Sequence, residues 1–318
     1  MKITLLFLAL AAISHPFAHA GQSDREAAKS AQMHYLRGML LERRGAYTEA
    51  LQAYDLAFSS DPESAVICGQ AAELSIEAGL MDKAGLWTGR LIKLAPNKAQ
   101  SHILLGRVQW ARGKMEAAQA SFEAALKIDP LSAESIFSLG TLLSLRSPQK
   151  ARELLEHFLE QNPALAAEAH FQIAKLDLQA NNLRDAQFHL KQVIALEADG
   201  ESLPARYALA QTYELQHSTD AALDAYLEIL KLEPQNVPLI NHIGQMYFLK
   251  GQWDEMRAHF EMAKAVSAGD PAANHWLALH AERRGDFASA AAYLKASSAL
   301  KGEPALHLRL SYYLTQAG

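Results

Sequence analysis

Around Gly140 the apolar residues Ile136, Leu139, Leu142 and Leu143 stand three and four positions apart. That spacing lays them along one face of a helix. A second kind of stripe is built from Ala50, Tyr54 and Ala57, four and three apart, which also share a helical face. Glycines at Gly45, Gly79, Gly113, Gly251 and Gly285 separate the two kinds of stripe. A glycine there can take the left-handed conformation that ends a helix. Prolines such as Pro62, Pro96, Pro130 and Pro234 follow the second stripe and prevent its continuation. The pattern predicts antiparallel helix pairs from end to end.

The pairs recur at a fixed period. Gly113, Met115, Ala118, Phe122, Ala125 and Pro130 repeat the intervals of Gly45, Tyr47, Ala50, Tyr54, Ala57 and Pro62, with one further copy between them. Self-similarity of this kind marks a repeat architecture. A second column fixes the register: Gly38, Ala72, Gly106, Gly140, Ala174, Ala210, Gly244 and Ala278. Steps along it are 34 residues, with one of 36 between Ala174 and Ala210. The small residues are expected to let the two helices of a pair cross closely, Gly38 against Ala50, while the aromatic between the alanines fills space toward the next repeat. The turn Arg146 to Ala151 lacks the glycine and is one residue short. The fifth turn uses Asn181-Asn182, where asparagine can take the glycine's conformation. The connector 197–204 carries the two-residue insertion and is expected to be the softest joint.

Ile136, Leu139, Gly140 and Leu143, and again Ile240, Ile243, Gly244 and Tyr247, follow a degenerate W-x2-L-G-x2-Y opening; Ala118, Phe122 and Pro130 supply A-x3-F and a closing proline. Over residues 30–318 the chain resembles the tetratricopeptide repeat family, although no copy has tryptophan at the opening position. The resemblance implies an all-α fold: a right-handed superhelical solenoid of about eight helix–turn–helix repeats plus a final unpaired helix. That helix, Ala305 to Gly318, reads either as a cap or as the first helix of a further repeat. Leu306, Leu308, Leu310, Tyr312, Tyr313 and Leu314 leave it little polar face, which favours the second reading.

Composition narrows compartment and partners. The chain has 318 residues, half of them hydrophobic, with 30 basic and 35 acidic side chains and a net charge of −5. An acidic balance argues against a nucleic-acid surface. Residues 1–20 have the layout of a secretory signal peptide: Lys2, an apolar run from Ile3 to Ile13, and Ala18-His19-Ala20 before Gly21. Residues 21–29 are expected to form a short lead. Nothing in the mature part is apolar enough to cross a bilayer. Gly21 stands where a lipoprotein would need cysteine, so a free periplasmic or secreted protein is expected. The one cysteine, Cys68, lies among apolar neighbours and reads as a buried, inert thiol.

No catalytic motif is present: no phosphate-binding glycine loop, no G-x-S-x-G, no H-E-x-x-H and no C-x-x-C. His275 and His280, five apart, fall on different helix faces rather than at metal-ligand spacing. No cofactor or metal is expected, and the chain is read as non-enzymatic. The arginines of the two "ERRG" segments offset helix dipoles in the last turn. What remains is a surface. The resemblance implies that first helices line a concave face through their second, fifth, ninth, twelfth and thirteenth repeat positions. On that basis the candidate peptide-binding residues are Tyr35, Met39, Arg43, Ile103, Arg107, Trp110, Phe137, Phe171, Lys175, Tyr207, Gln211, Asn241, Gln245, Phe248 and His275. No repeat pairs a lysine at the fifth position with an asparagine at the ninth, so a carboxylate clamp is absent. An extended segment with apolar anchors is the expected partner. The function expected is a periplasmic scaffold for protein–protein interaction. The alternative is the repeat region of a longer protein, its remainder an enzyme or an outer-membrane secretion or assembly component.

Overall fold

The computed structural model describes residues 22–197, 202–297, 299 and 302–318; the expected signal segment and residues 198–201 of the connector lie outside them. Among the described residues every regular element is helical, seventeen α-helices and one 3-10 turn. The helices gather into two compact units, one ending at Gln161 and the other starting at Asn162.

The first unit holds α1 (Gln22–Arg43), α2 (Tyr47–Ser60), α3 (Ala65–Glu77), α4 (Met81–Leu94), α5 (Ala99–Ala111), α6 (Met115–Ile128), α7 (Ala133–Ser144) and α8 (Pro148–Gln161). The second holds the 3-10 turn Pro163–Leu165, then α9 (Ala166–Gln179), α10 (Leu183–Leu196), α11 (Leu203–Leu215), α12 (Thr219–Leu232), α13 (Val237–Leu249), α14 (Trp253–Val266), α15 (Pro271–Arg283), α16 (Phe287–Ala296) and α17 (Pro304–Ala317). Odd-numbered helices are the first of each pair, and each even-numbered helix packs back on its predecessor. The expected lead is helical from Gln22 onward and continuous with α1. The connector's described flanks do not part: Val193 of α10 and Ala205 and Leu209 of α11 share one core cluster.

Helix ends follow from local chemistry. At the end of α5, Gly113 has φ 74°, its N–H donates to the Trp110 carbonyl at 2.8 Å, and Lys114 N–H donates to that of Gln109 at 2.9 Å. These two bonds satisfy carbonyls that the helix leaves unpaired. Asn181 takes the same conformation at φ 58°, as expected, and His217 does so at φ 56°. The short fourth turn has no left-handed residue: Ser147 N–H donates to the Leu143 carbonyl at 2.7 Å and closes it more tightly. Several helix starts are capped by a side chain; Asp270, for example, accepts from Ala273 N–H at 2.7 Å.

One expectation is extended. The aromatic of each second helix reaches the next repeat, as Tyr226 meets His242 at 4.8 Å and Phe260 stacks on Trp276 at 5.8 Å, and it also lies over the small residue of its own pair. A Cβ built on Gly106 would stand 2.6 Å from the Phe122 ring, and one on Gly38 would stand 2.5 Å from that of Tyr54. The glycine is small because the ring occupies its side-chain space. At Gly140 the partner is Leu155, 3.5 Å away, and the fit is ordinary.

Neighbouring pairs are joined by polar bridges of fixed sequence offset. Arg112 donates to the Met81 carbonyl at 2.7 Å and to Asp82 at 3.2 Å. Arg146 pairs with Glu116 at 2.7 Å, and Lys250 with Asp220 at 2.5 Å. Each cation ends a first helix and reaches the first turn of the preceding second helix, 30 residues back. Gly85 leaves room for the Arg112 guanidinium, which would lie 2.6 Å from a Cβ there. Inside a pair, Tyr54 donates to Glu42 at 2.7 Å, and Gln70 of the next pair donates to the same carboxylate. In the second unit Tyr226 and His242 meet Glu214 in the same way.

Candidate functional site

The first helices of the N-terminal unit form a groove of about 630 Å³, lined by Ile76 of α3, Arg107, Trp110 and Ala111 of α5, and Glu134 and Ser138 of α7. The repeat period places these residues together, since each stands on the same side of successive first helices. Arg107 lies 3.7 Å from Glu134, both half exposed. Beside them the neutral amide of Gln100 donates to Glu73 at 3.2 Å. Burial raises the Glu73 carboxyl above its ordinary range; Glu134 and Glu77 add to the rise, while Gln100 and Arg107 oppose it. Trp110 is half buried, and among the described residues no ring or cation stacks on it.

The sequence-derived residues fall into three groups. Tyr35, Ile103 and Asn241 are 4%, 2% and 9% exposed, so they belong to side-chain contacts inside the unit, not to an open surface. Tyr35 lies against Tyr54, and Asn241 donates to Asp270 at 2.9 Å. Burial pushes the Tyr35 hydroxyl up to about 12.

A second group is partly accessible but already engaged. Phe137 sets its edge on Phe158, and the Lys175 ammonium stands 4.5 Å over the Phe171 ring. Tyr207 donates to Glu233 at 2.7 Å and accepts from Asn236 at 3.0 Å; burial first, then Glu233, raises it to about 12. Phe248 meets Trp276 at 4.4 Å and Trp253 at 5.2 Å, and half-buried His275 abuts Trp276. Burial, then Arg309, lowers the His275 imidazole, so it stays neutral across more of the acidic range.

The third group is open: Arg107 and Trp110 in the groove, exposed Arg43, Gln211 and Gln245, and half-buried Met39. Of the groove residues, Ile76, Ala111, Glu134 and Ser138 stand outside the candidate set. A signal exists for the first three, which occupy the twelfth, thirteenth and second positions of the same repeat frame.

A larger hollow of about 940 Å³ lies in the second unit over α12, bordered by Leu209, Tyr213, Ala225, Glu228, Lys231, His259 and Met262. Its ion pair, Lys231 with Glu228 at 2.5 Å, is already complete, and its walls are mainly second-helix stems. The smaller groove, walled by first helices, is taken as the stronger site. Cys68 is fully buried, and burial pushes its thiol up to about 11, which suits an inert core residue. Among the described residues no three His, Cys, Asp or Glu side chains converge as metal ligands. None of the described helices is long and apolar enough to cross a membrane.

Comparison with known proteins agrees with the repeat register. A family model described as tetratricopeptide repeat matches residues 99–130, and another of the same description matches 19–65 and 171–237. No curated protein matches the chain. Among solved structures it is similar to PilF of Pseudomonas aeruginosa, at 16% identity and a TM-score of 0.52, over 66% of this chain and 94% of that one. It is also similar to MamA, at 24% identity and a TM-score of 0.45, over 54% and 92%. A third is the first TPR of Spaghetti (RPAP3) bound to the HSP90 peptide SRMEEVD, at 20% identity and a TM-score of 0.35, over 36% and 90%. With its 34-residue register and helix pairs throughout, the chain carries tetratricopeptide repeats, which support a scaffold for protein–protein interaction.

Proposed function

We propose that this protein is an exported, non-enzymatic scaffold that holds an extended segment of a partner protein along the first-helix groove of its N-terminal unit. The observation that carries this reading is the groove itself. It is open, it is walled by Ile76, Trp110 and Ala111, and it has Arg107, Glu134 and Ser138 as polar groups. Apolar walls with a few fixed polar groups suit recognition of an extended chain. Export rests on the composition of residues 1–20, and the compartment proposed is the periplasm.

Site-specific photo-crosslinking in intact cells tests the reading. A photoreactive side chain in place of Trp110 is expected to capture a discrete partner from the envelope. The same group at Leu86, exposed on second helix α4, serves as the control. Capture at Leu86 alone, or equally at both, would contradict the groove assignment. N-terminal sequencing of the purified protein checks export, with Gly21 expected as the first residue.

A further inference from the structure

The groove's own charged groups are Arg107 and Glu134, and further carboxylates lie next to that pair. The charges of Glu134 and Glu77 act on Glu73, and Arg107, 3.7 Å from Glu134, opposes them there. Arg107 is 3.7 Å from Glu134, too far for a well-formed charge-assisted hydrogen bond. The hydrogen-bond donor to Glu73 is the neutral Gln100 amide. Burial and the other carboxylates hold the Glu73 carboxyl above its ordinary range. Such a carboxylate gains most from a cation brought to it from outside. Ile76 and Trp110 line the groove together with Arg107 and Glu134. An apolar wall with an aromatic face suits the methylene stem of a long basic side chain and its charge together.

We propose that the groove takes an extended segment whose lysine or arginine side chain enters between Glu73 and Glu134 beside Trp110, with apolar residues flanking it. This inference rests on the groove being the binding surface. It names the chemistry of the partner: basic at the centre, apolar on either side. A segment with an acidic centre meets three carboxylates and one arginine, and is rejected. The groove's volume of about 630 Å³ exceeds one side chain, which leaves space for the flanking apolar anchors.

The test is selection of a displayed library of random 12-residue peptides on the full chain, followed by binding measurements with the selected peptides. Enriched peptides are expected to carry Lys or Arg between apolar residues. Replacing that residue by glutamate is expected to weaken binding at least tenfold. The double variant Glu73→Gln/Glu134→Gln should lower affinity for the basic peptide about tenfold and bring the Lys-to-norleucine ratio near one. The single variant Glu134→Gln gives an intermediate loss and guards against misfolding of the double variant; circular dichroism melts accompany both. Enrichment of acidic or uncharged centres, with binding still lost in Trp110→Ala, overturns the charge inference and leaves the groove reading standing. Enriched peptides that bind Trp110→Ala as tightly as wild type, or no enrichment above background, overturn the groove reading itself.

Discussion

Trp110 and Phe248 occupy the same position in two repeats, one in each unit, and their surroundings differ. Phe248 is enclosed by Trp253 and Trp276, with ring centroids 5.2 and 4.4 Å away. In the repeat frame the residue matching Trp276 is Ser138, and Ser138 lines the open groove beside Trp110. A hydroxymethyl group in place of an indole leaves space that the second unit fills. The polar groups differ in the same sense: Tyr207 and Asn241 are bonded to Glu233 and Asp270, whereas among the described residues the donor to Glu73 is a neutral amide. One backbone plan thus yields a face closed by its own side chains and a face that is open. Substitution at a few periodic positions decides which.

The largest expected effects probe what both units share. Gly106→Leu drives a side chain into the Phe122 ring and should cost about 3 kcal/mol in denaturant unfolding. Gly140→Ala, facing Leu155 at contact distance inside a helix, should be neutral or stabilising by up to about 1 kcal/mol. Equal effects would mean that the ring does not set the column of small residues. Next comes the closed face: Trp276→Ser removes a half-buried indole stacked near Phe260 and Phe248 and should lower stability by about 2–3 kcal/mol. A melt unchanged from wild type would show that Trp276 is not part of the core there.

Two carboxylates sharpen the comparison through pH. Hydrogen bonding by Tyr313, then Arg309, holds the Glu282 carboxyl below its ordinary range. Its stabilisation is therefore present above the ordinary carboxylate pKa and is lost as pH falls through the depressed one. Glu73 has the opposite sign: its raised pKa means that stability falls as pH rises through it. Glu282→Gln should thus be destabilising at neutral pH and progressively less so in acid. Glu73→Gln should be stabilising at neutral pH and neutral below the carboxylate range. Thermal melts across pH 3–7 read both, and like signs at neutral pH would contradict the assigned environments. A small effect belongs to Arg112→Ala, whose partially exposed pairing with Asp82 should contribute no more than about 1 kcal/mol. A larger loss would make the 30-residue bridges a principal support of the fold.

The helix pairs, the register and the turn at Asn181 are legible because period and backbone chemistry are local properties. His217 is not, since histidine gives no strong signal for a left-handed conformation. The aromatic's direction is hidden for a different reason: spacing reports which face Phe122 occupies, not that its ring fills the space over Gly106. Nothing in the sequence marks Arg112 as a bridge, and only the fold brings Asp82 and Gly85 to it. Tyr35, Ile103 and Asn241 stand at groove positions by number, yet their neighbours bury them. The open groove depends on Ser138, a residue without motif value, and is visible in sequence only when the repeats are laid one above another against Trp276.

Ser138→Trp tests the central claim most directly, because it gives the first unit the side chain that closes the second. Affinity for groove-selected peptides should fall at least tenfold with the thermal midpoint kept within a few degrees of wild type. Undiminished binding by a folded Ser138→Trp protein would contradict the account.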